Sequence, residues 1–184
     1  MEEKFIVNPP QEKKTDAVSA AYEWVSAAII ALIFASILFS LFMRFINVSG
    51  DSMTNTLQDG EKLVLSGICI MPEYGDIVVV RRDNDTPLIK RVIGLPGDKI
   101  FIDDVNGIVY RNGEPLDEPY VLGGFTPSFG LSSAYEVPAD GIFVMGDNRR
   151  GSLDSRMLRD SIKMGDVVGV VTYRLSPIES LRGE

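Results

Sequence analysis

The sequence predicts a mainly β protein: an antiparallel β-domain carried behind a single N-terminal membrane-spanning helix. Three observations predict it. Residues 24–43 form a run of twenty without a charge. Beyond residue 47, short segments rich in Val, Ile, Phe and Tyr recur at 62–65, 76–82, 88–93, 99–102, 108–111, 142–145 and 167–173, the pattern of strands. Between them lie turn formers: Gln58-Asp59-Gly60, Glu73-Tyr74-Gly75-Asp76, Asn106-Gly107 and Asn112-Gly113.

Taken in order, the chain opens on polar residues around Pro9-Pro10, read as a disordered tail over 1–23. The uncharged run follows. A helix of that length rises about 30 Å, the thickness of a bilayer's hydrocarbon core. Tyr22 and Trp24 stand at its start, where amphipathic rings favour the interface. A cleaved leader has an apolar core of roughly 7–15 residues and a small-residue cleavage site. Here the core is longer, and Met43-Arg44-Phe45-Ile46 follows it with no Ala-x-Ala pattern. A retained anchor over 24–46 is therefore expected. Lys4, Lys13 and Lys14 precede it and only Arg44 closely follows. That bias predicts a cytoplasmic N-terminus and an extracytoplasmic domain over 47–184.

Within that domain the Asn-Gly pairs signal tight hairpins, because both residues tolerate positive φ. Val78-Val79-Val80 lacks alternation, as a strand covered on both faces would. Residues 123–133 read as a loop, and 157–162 as a short helical turn.

The composition excludes several functions. A net charge of −8 and a pI near 4.6 argue against nucleic-acid binding, which favours a basic face. One cysteine, Cys69, allows no internal disulfide, and it reads as a small buried apolar residue. With no histidine and one cysteine, no zinc site of ordinary type and no other cofactor is expected.

The missing histidine also bears on the serines. Ser52 lies in Ser49-Gly50-Asp51-Ser52-Met53, nine residues beyond Met43, so at most about 30 Å of chain separates it from the anchor. Gly50 lets the backbone turn sharply. The segment reads either as a capped turn or as a nucleophile whose own amide is an oxyanion donor. A serine hydroxyl needs a base, and without histidine lysine is the natural substitute. Lys90 stands in Leu88-Ile89-Lys90-Arg91-Val92-Ile93. It reads either as a solvent-facing edge lysine or as a buried amine with a lowered pKa. A third segment, Gly146-Asp147-Asn148-Arg149-Arg150-Gly151-Ser152-Leu153-Asp154-Ser155-Arg156, reads as a salt-bridged turn, as rigid support for a reacting pair, or as both.

Together the three segments resemble the bacterial type I signal peptidases, membrane-bound enzymes that remove signal peptides. The family pattern around the nucleophile is similar to Ser-Gly-x-Ser-Met-x-Pro-Thr-Leu. The second, Lys-Arg-Val-Ile-Gly-x-Pro-Gly-Asp, and the third, Gly-Asp-Asn-Arg-x-x-Ser-x-Asp-Ser-Arg, are matched completely. Glu118-Pro119-Tyr120 and Val137-Pro138 add to the likeness, which covers about residues 24–175.

The resemblance implies a signal-peptidase-like β catalytic domain with Ser52 as nucleophile and Lys90 as general base. It implies Ser152 as a hydrogen-bond partner of the lysine amine, an Asp147–Arg91 ion pair, and Asp154 with Arg156 extending that network. Val48, Met53, Leu57, Leu88 and Ile89 are implied to line shallow pockets for small residues at −1 and −3 of secretory preproteins. The lipid bilayer is the other partner implied. Three positions depart from the pattern: Asn55 replaces proline, Gly50 replaces a serine found in some members, and Gly151 replaces a common asparagine. Two other readings stand beside this one. A self-cleaving SOS-repressor-like Ser-Lys peptidase would carry a DNA-binding head in place of the apolar helix. A membrane-anchored β-domain could bind exported proteins without cutting them.

Overall fold

The structure, a computed structural model, describes residues 16–66, 71–82, 86–131 and 133–181. Of the expected tail over 1–23, residues 1–15 lie outside the described residues, as does Cys69, and 16–23 are helical. The chain divides into two compact units, Met1–Ser40 and Leu41–Glu184.

Helix α1 (Asp16–Phe42) contains a 23-residue apolar stretch, Val18–Ser40, long enough to cross a membrane. Its side chains over that stretch are exposed except for half-buried Ala20, so no protein core accounts for its apolarity. The helix begins and ends earlier than the 24–46 expected of the anchor. Met43–Asn47 instead forms an edge strand, β1, in register from Met43 opposite Ser66 to Asn47 opposite Lys62. Arg44 breaks the apolar run, and Ile46 finds a packing surface in the domain's core.

The remaining strands are β2 (Lys62–Ser66), β3 (Ile77–Val80), β4 (Leu88–Gly94), β5 (Lys99–Asp103), β6 (Ile108–Arg111), β7 (Glu114–Pro115), β8 (Tyr135–Glu136), β9 (Gly141–Met145), β10 (Ile162–Lys163), β11 (Val167–Leu175) and β12 (Ile178–Ser180). The larger sheet runs β1-β2-β11-β3-β4-β9-β10, with β12 paired to β11; the smaller runs β7-β6-β5-β8. All their pairings are antiparallel.

Helix α2 (Ser155–Leu158) starts two residues before the turn expected at 157–162, whose last residue begins β10. Asp154 caps it, accepting from the Arg156 amide. Residues 123–133 hold no strand among the described residues. The Asn112-Gly113 hairpin forms as expected, both residues at positive φ between β6 and β7.

The core explains the unalternating valines of β3. Ile77 and Val79 pack with Leu63, Leu65 and Ile89 on one face of the sheet. Val78 and Val80 pack with Val92, Val144 and Val170 on the other. A third cluster, around Ile100, Val109, Phe143 and Met145, fills the space by the smaller sheet. β3 and β4 are thus central strands with both faces covered. A polar side chain in the middle of β4 is consequently buried.

Candidate active site

Ser52 lies in the turn that follows Val48. Gly50 has φ of 85° there, a conformation that disfavours any residue with a Cβ, and its N–H donates to Asp59 Oδ1 at 2.7 Å. The turn closes through Thr54 N–H to Asp51 O (3.0 Å) and Leu57 N–H to Met53 O (2.8 Å). Met53 and Leu57, 1% and 0% exposed, anchor it in the core from below. Ser52 itself remains half-buried at the surface.

Lys90 is 2% exposed, in the middle of β4 and directly opposite Val78. Its Nζ donates to Ser52 Oγ at 2.7 Å and to Ile89 O at 2.8 Å. Burial lowers its pKa from 10.5 to about 8, against the opposing pull of the Asp154 and Asp147 carboxylates. Loss of hydration disfavours the ammonium more than these two anions favour it. A substantial fraction of the amine is therefore neutral at mildly alkaline pH and able to accept a proton.

Around this pair the third segment forms ion pairs. Arg91 and Asp147 meet bidentately, Nε to Oδ1 at 2.9 Å and Nη2 to Oδ2 at 2.7 Å. Arg156 grips Asp154 in the same way, at 2.9 and 2.7 Å. Asp154 Oδ2 also accepts the Gly146 N–H at 3.0 Å. Such forks fix orientation as well as charge.

Other participants escape sequence reasoning. Thr56 Oγ1 donates to Asp147 Oδ2 at 2.5 Å and accepts from Arg91 Nη2 at 3.2 Å, tying the Ser52 turn to the Lys90 strand. Arg149 is fully buried, bonded bidentately to Glu118 and also to Thr126. The Tyr120 ring lies 3.9 Å from the Arg91 guanidinium, a cation–π contact. Thr56, Arg149, Glu118 and Tyr120 all lie in the stretches that carry the resemblance, but the sequence assigns none of them a role.

Two expectations need correction. Ser152 is buried, but its Oγ makes no hydrogen bond among the described residues, so the expected bond to the lysine amine is absent. The amine's donors go instead to Ser52 and Ile89 O, and Ser152 packs against Gly146. The five residues expected to line substrate pockets also separate. Val48, Met53, Leu57 and Ile89 share one core cluster, whereas Leu88 packs on the opposite face of the sheet. At 1% and 0% exposure, Met53 and Leu57 are interior packing beneath the turn.

Fold and site together define a β-domain protein with a buried lysine bonded to a turn-borne serine, its β-domain preceded by an apolar helix. The family model described as signal peptidase, peptidase S26, matches residues 21–176. The signal peptidase I of Bacillus licheniformis is 34% identical, covering 94% of this chain and 97% of its own length. Signal peptidase I S of Bacillus subtilis strain 168 is 34% identical, over 87% and 91%. A crystal structure of a signal peptidase I from Enterococcus faecalis V583 is 30% identical, covering 56% of this chain and 98% of that one, with a TM-score of 0.44. The chain belongs to the S26 signal peptidase family and is a peptidase.

Proposed function

We propose that this chain removes signal peptides from exported preproteins as a serine endopeptidase, with Ser52 as nucleophile and Lys90 as general base. The observation that carries the reading is the 2.7 Å contact between a lysine amine and a serine hydroxyl, the amine being buried enough to lose its proton near pH 8. In its neutral form Lys90 takes the Oγ proton as Ser52 Oγ attacks the scissile carbonyl. The Ser52 N–H receives the developing oxyanion. The Lys90 ammonium then protonates the departing amine, releasing the mature protein. A water, deprotonated by the same lysine, hydrolyses the ester left on Ser52. Asp147 with Arg91, and Asp154 with Arg156, hold β4 and the loop after β9 in place.

The helix Val18–Ser40 anchors the chain in the cell membrane. The lysine bias puts its N-terminus in the cytoplasm and the catalytic domain outside, where a preprotein presents its cleavage site. Small residues at −1 and −3 suit a site whose neighbouring apolar side chains, Val48 and Ile89, are almost fully packed at 4% and 7% exposure. The test is cleavage of a preprotein carrying Ala-x-Ala before its mature end, by the full chain in detergent. Ser52→Ala and Lys90→Arg each lower kcat/KM by at least about 10³-fold, the arginine because guanidinium stays protonated. Cleavage by Ser52→Ala at the parent rate sinks the proposal. Binding without cleavage by the parent makes this a docking domain.

A further inference from the structure

The oxyanion donor depends on one peptide group, which the Thr54 N–H steadies from within the turn through Asp51 O. The Ser52 N–H donates to no acceptor among the described residues. It belongs to the Asp51–Ser52 peptide, whose C=O and N–H point in opposite directions in one plane. Whatever holds the Asp51 oxygen therefore sets where the Ser52 N–H points.

Asn148 holds it. Its side-chain Nδ2 donates to Asp51 O at 3.2 Å, beside the Thr54 N–H at 3.0 Å. Its backbone N–H donates to Ser52 O at 3.0 Å. One residue thus grips the peptide planes on both sides of Ser52, from a loop 97 positions away along the chain. The carboxamide is itself held, because its Oδ1 accepts the Gly151 N–H at 3.2 Å. A Cβ at position 151 would stand 2.8 Å from Asn148 Nδ2 and 3.2 Å from its Cγ.

We propose that Asn148 is a positioning residue that aims the Ser52 amide at the oxyanion. This rests on the reading of Ser52 as nucleophile and of its N–H as the donor. Gly50 stands where some family members carry a serine, so that position offers no hydroxyl donor here. Asn148→Ala removes the side-chain grip but keeps the backbone one. Gly151→Ala leaves Asn148 present and displaces its amide.

The experiment measures kcat and KM of the full chain in detergent on an Ala-x-Ala preprotein. Alongside it goes the inhibition constant of a peptide aldehyde ending in Ala-x-Ala. Addition of Ser52 Oγ to that aldehyde passes the hydroxyl proton to Lys90 and leaves an oxyanion where the donor acts. A whole donor is typically worth ~10²–10³-fold, so misaiming one lowers kcat by about tenfold in each variant. KM stays within about twofold, aldehyde affinity falls by the same factor as kcat/KM, and the acidic limb of the pH profile stays in place. The double variant is no worse than Asn148→Ala alone, since both changes act through one amide. Parent-like kcat in Asn148→Ala overturns the proposal, as do additive losses, unchanged aldehyde affinity or a shifted acidic limb. If Asn148→Ala does not fold, Gly151→Ala carries the same test. Turnover by Ser52→Ala would sink the underlying reading; an inactive Ser52→Ala beside a parent-like Asn148→Ala sinks only this inference.

Discussion

Replacing Lys90 by methionine separates what the amine does for chemistry from what it does to the fold. In the parent, burial lowers the pKa from 10.5 to about 8. At about 1.4 kcal/mol for each tenfold in proton affinity, that gap corresponds to about 3 kcal/mol against the folded state whenever the amine is charged. Below pH 8 the lysine is charged in both folded and unfolded chains, so the full penalty is present. Between about 8 and 10.5 the folded protein releases the proton while the unfolded chain keeps it, and parent stability rises with pH. Above 10.5 the penalty is gone. Methionine has a similar length and no charge, but forgoes the bonds to Ser52 Oγ and Ile89 O, each worth about 1 kcal/mol. Lys90→Met is therefore inactive and about 1 kcal/mol more stable than the parent at pH 6.5. For a chain of this size that raises the melting temperature by roughly 2–4 °C. Thermal unfolding followed by circular dichroism, for both proteins in the same detergent at pH 6.5 and pH 10, reads the difference. A methionine variant less stable than the parent at pH 6.5, or an advantage that does not shrink by pH 10, refutes the reasoning.

Three further outcomes follow from packing and charge. A Cβ at Gly146 would stand 2.3 Å from Ser152 Oγ and 2.4 Å from the Ser52 carbonyl oxygen. Gly146→Ala therefore displaces the Ser52 backbone and lowers kcat by ~10²-fold in single-turnover cleavage; parent-like turnover contradicts this. Leu57→Ala opens a cavity beneath the turn and lowers stability by about 2–4 kcal/mol, while the preference at −1 and −3 stays as in the parent; a broadened preference would make Leu57 a pocket residue after all. Asp147→Ala leaves the buried Arg91 unpaired, which lowers stability by about 3–5 kcal/mol in urea unfolding. A loss below 1 kcal/mol would show that water reaches the guanidinium.

Much of the fold is legible in the sequence because its signals are local. The uncharged run predicts α1, Val78-Val79-Val80 predicts a strand covered on both faces, and Asn112-Gly113 predicts its hairpin. Met43–Asn47 misleads because Met43, Phe45 and Ile46 continue the helix's apolar composition past the single charge of Arg44. Its strand character comes from pairing with β2, which no local pattern encodes. The site divides in the same way. Ser52 and Lys90 are legible from their motifs, and the ion pair of Asp147 with Arg91 through the resemblance those motifs carry. Thr56 is not, because its bond to Asp147 spans 91 positions. Asn148 has the ordinary look of a turn residue until its partners 97 positions away are seen. Met53 and Leu57 pack in the core beneath the turn, which their place beside Ser52 does not reveal, because an apolar side chain there looks the same in sequence whether it faces substrate or core.

The central claim is that Lys90, with its pKa lowered by burial, is the base for Ser52. The pH dependence of kcat/KM on an Ala-x-Ala preprotein tests it most directly, since it reports the essential base in the free enzyme. The predicted profile has an acidic limb with its midpoint near 8, the lowered value of Lys90, and activity rising with pH through it. A midpoint at 4–5 would assign the base to a carboxylate. A midpoint above 10 would mean a lysine that burial has not altered, and either result contradicts the account.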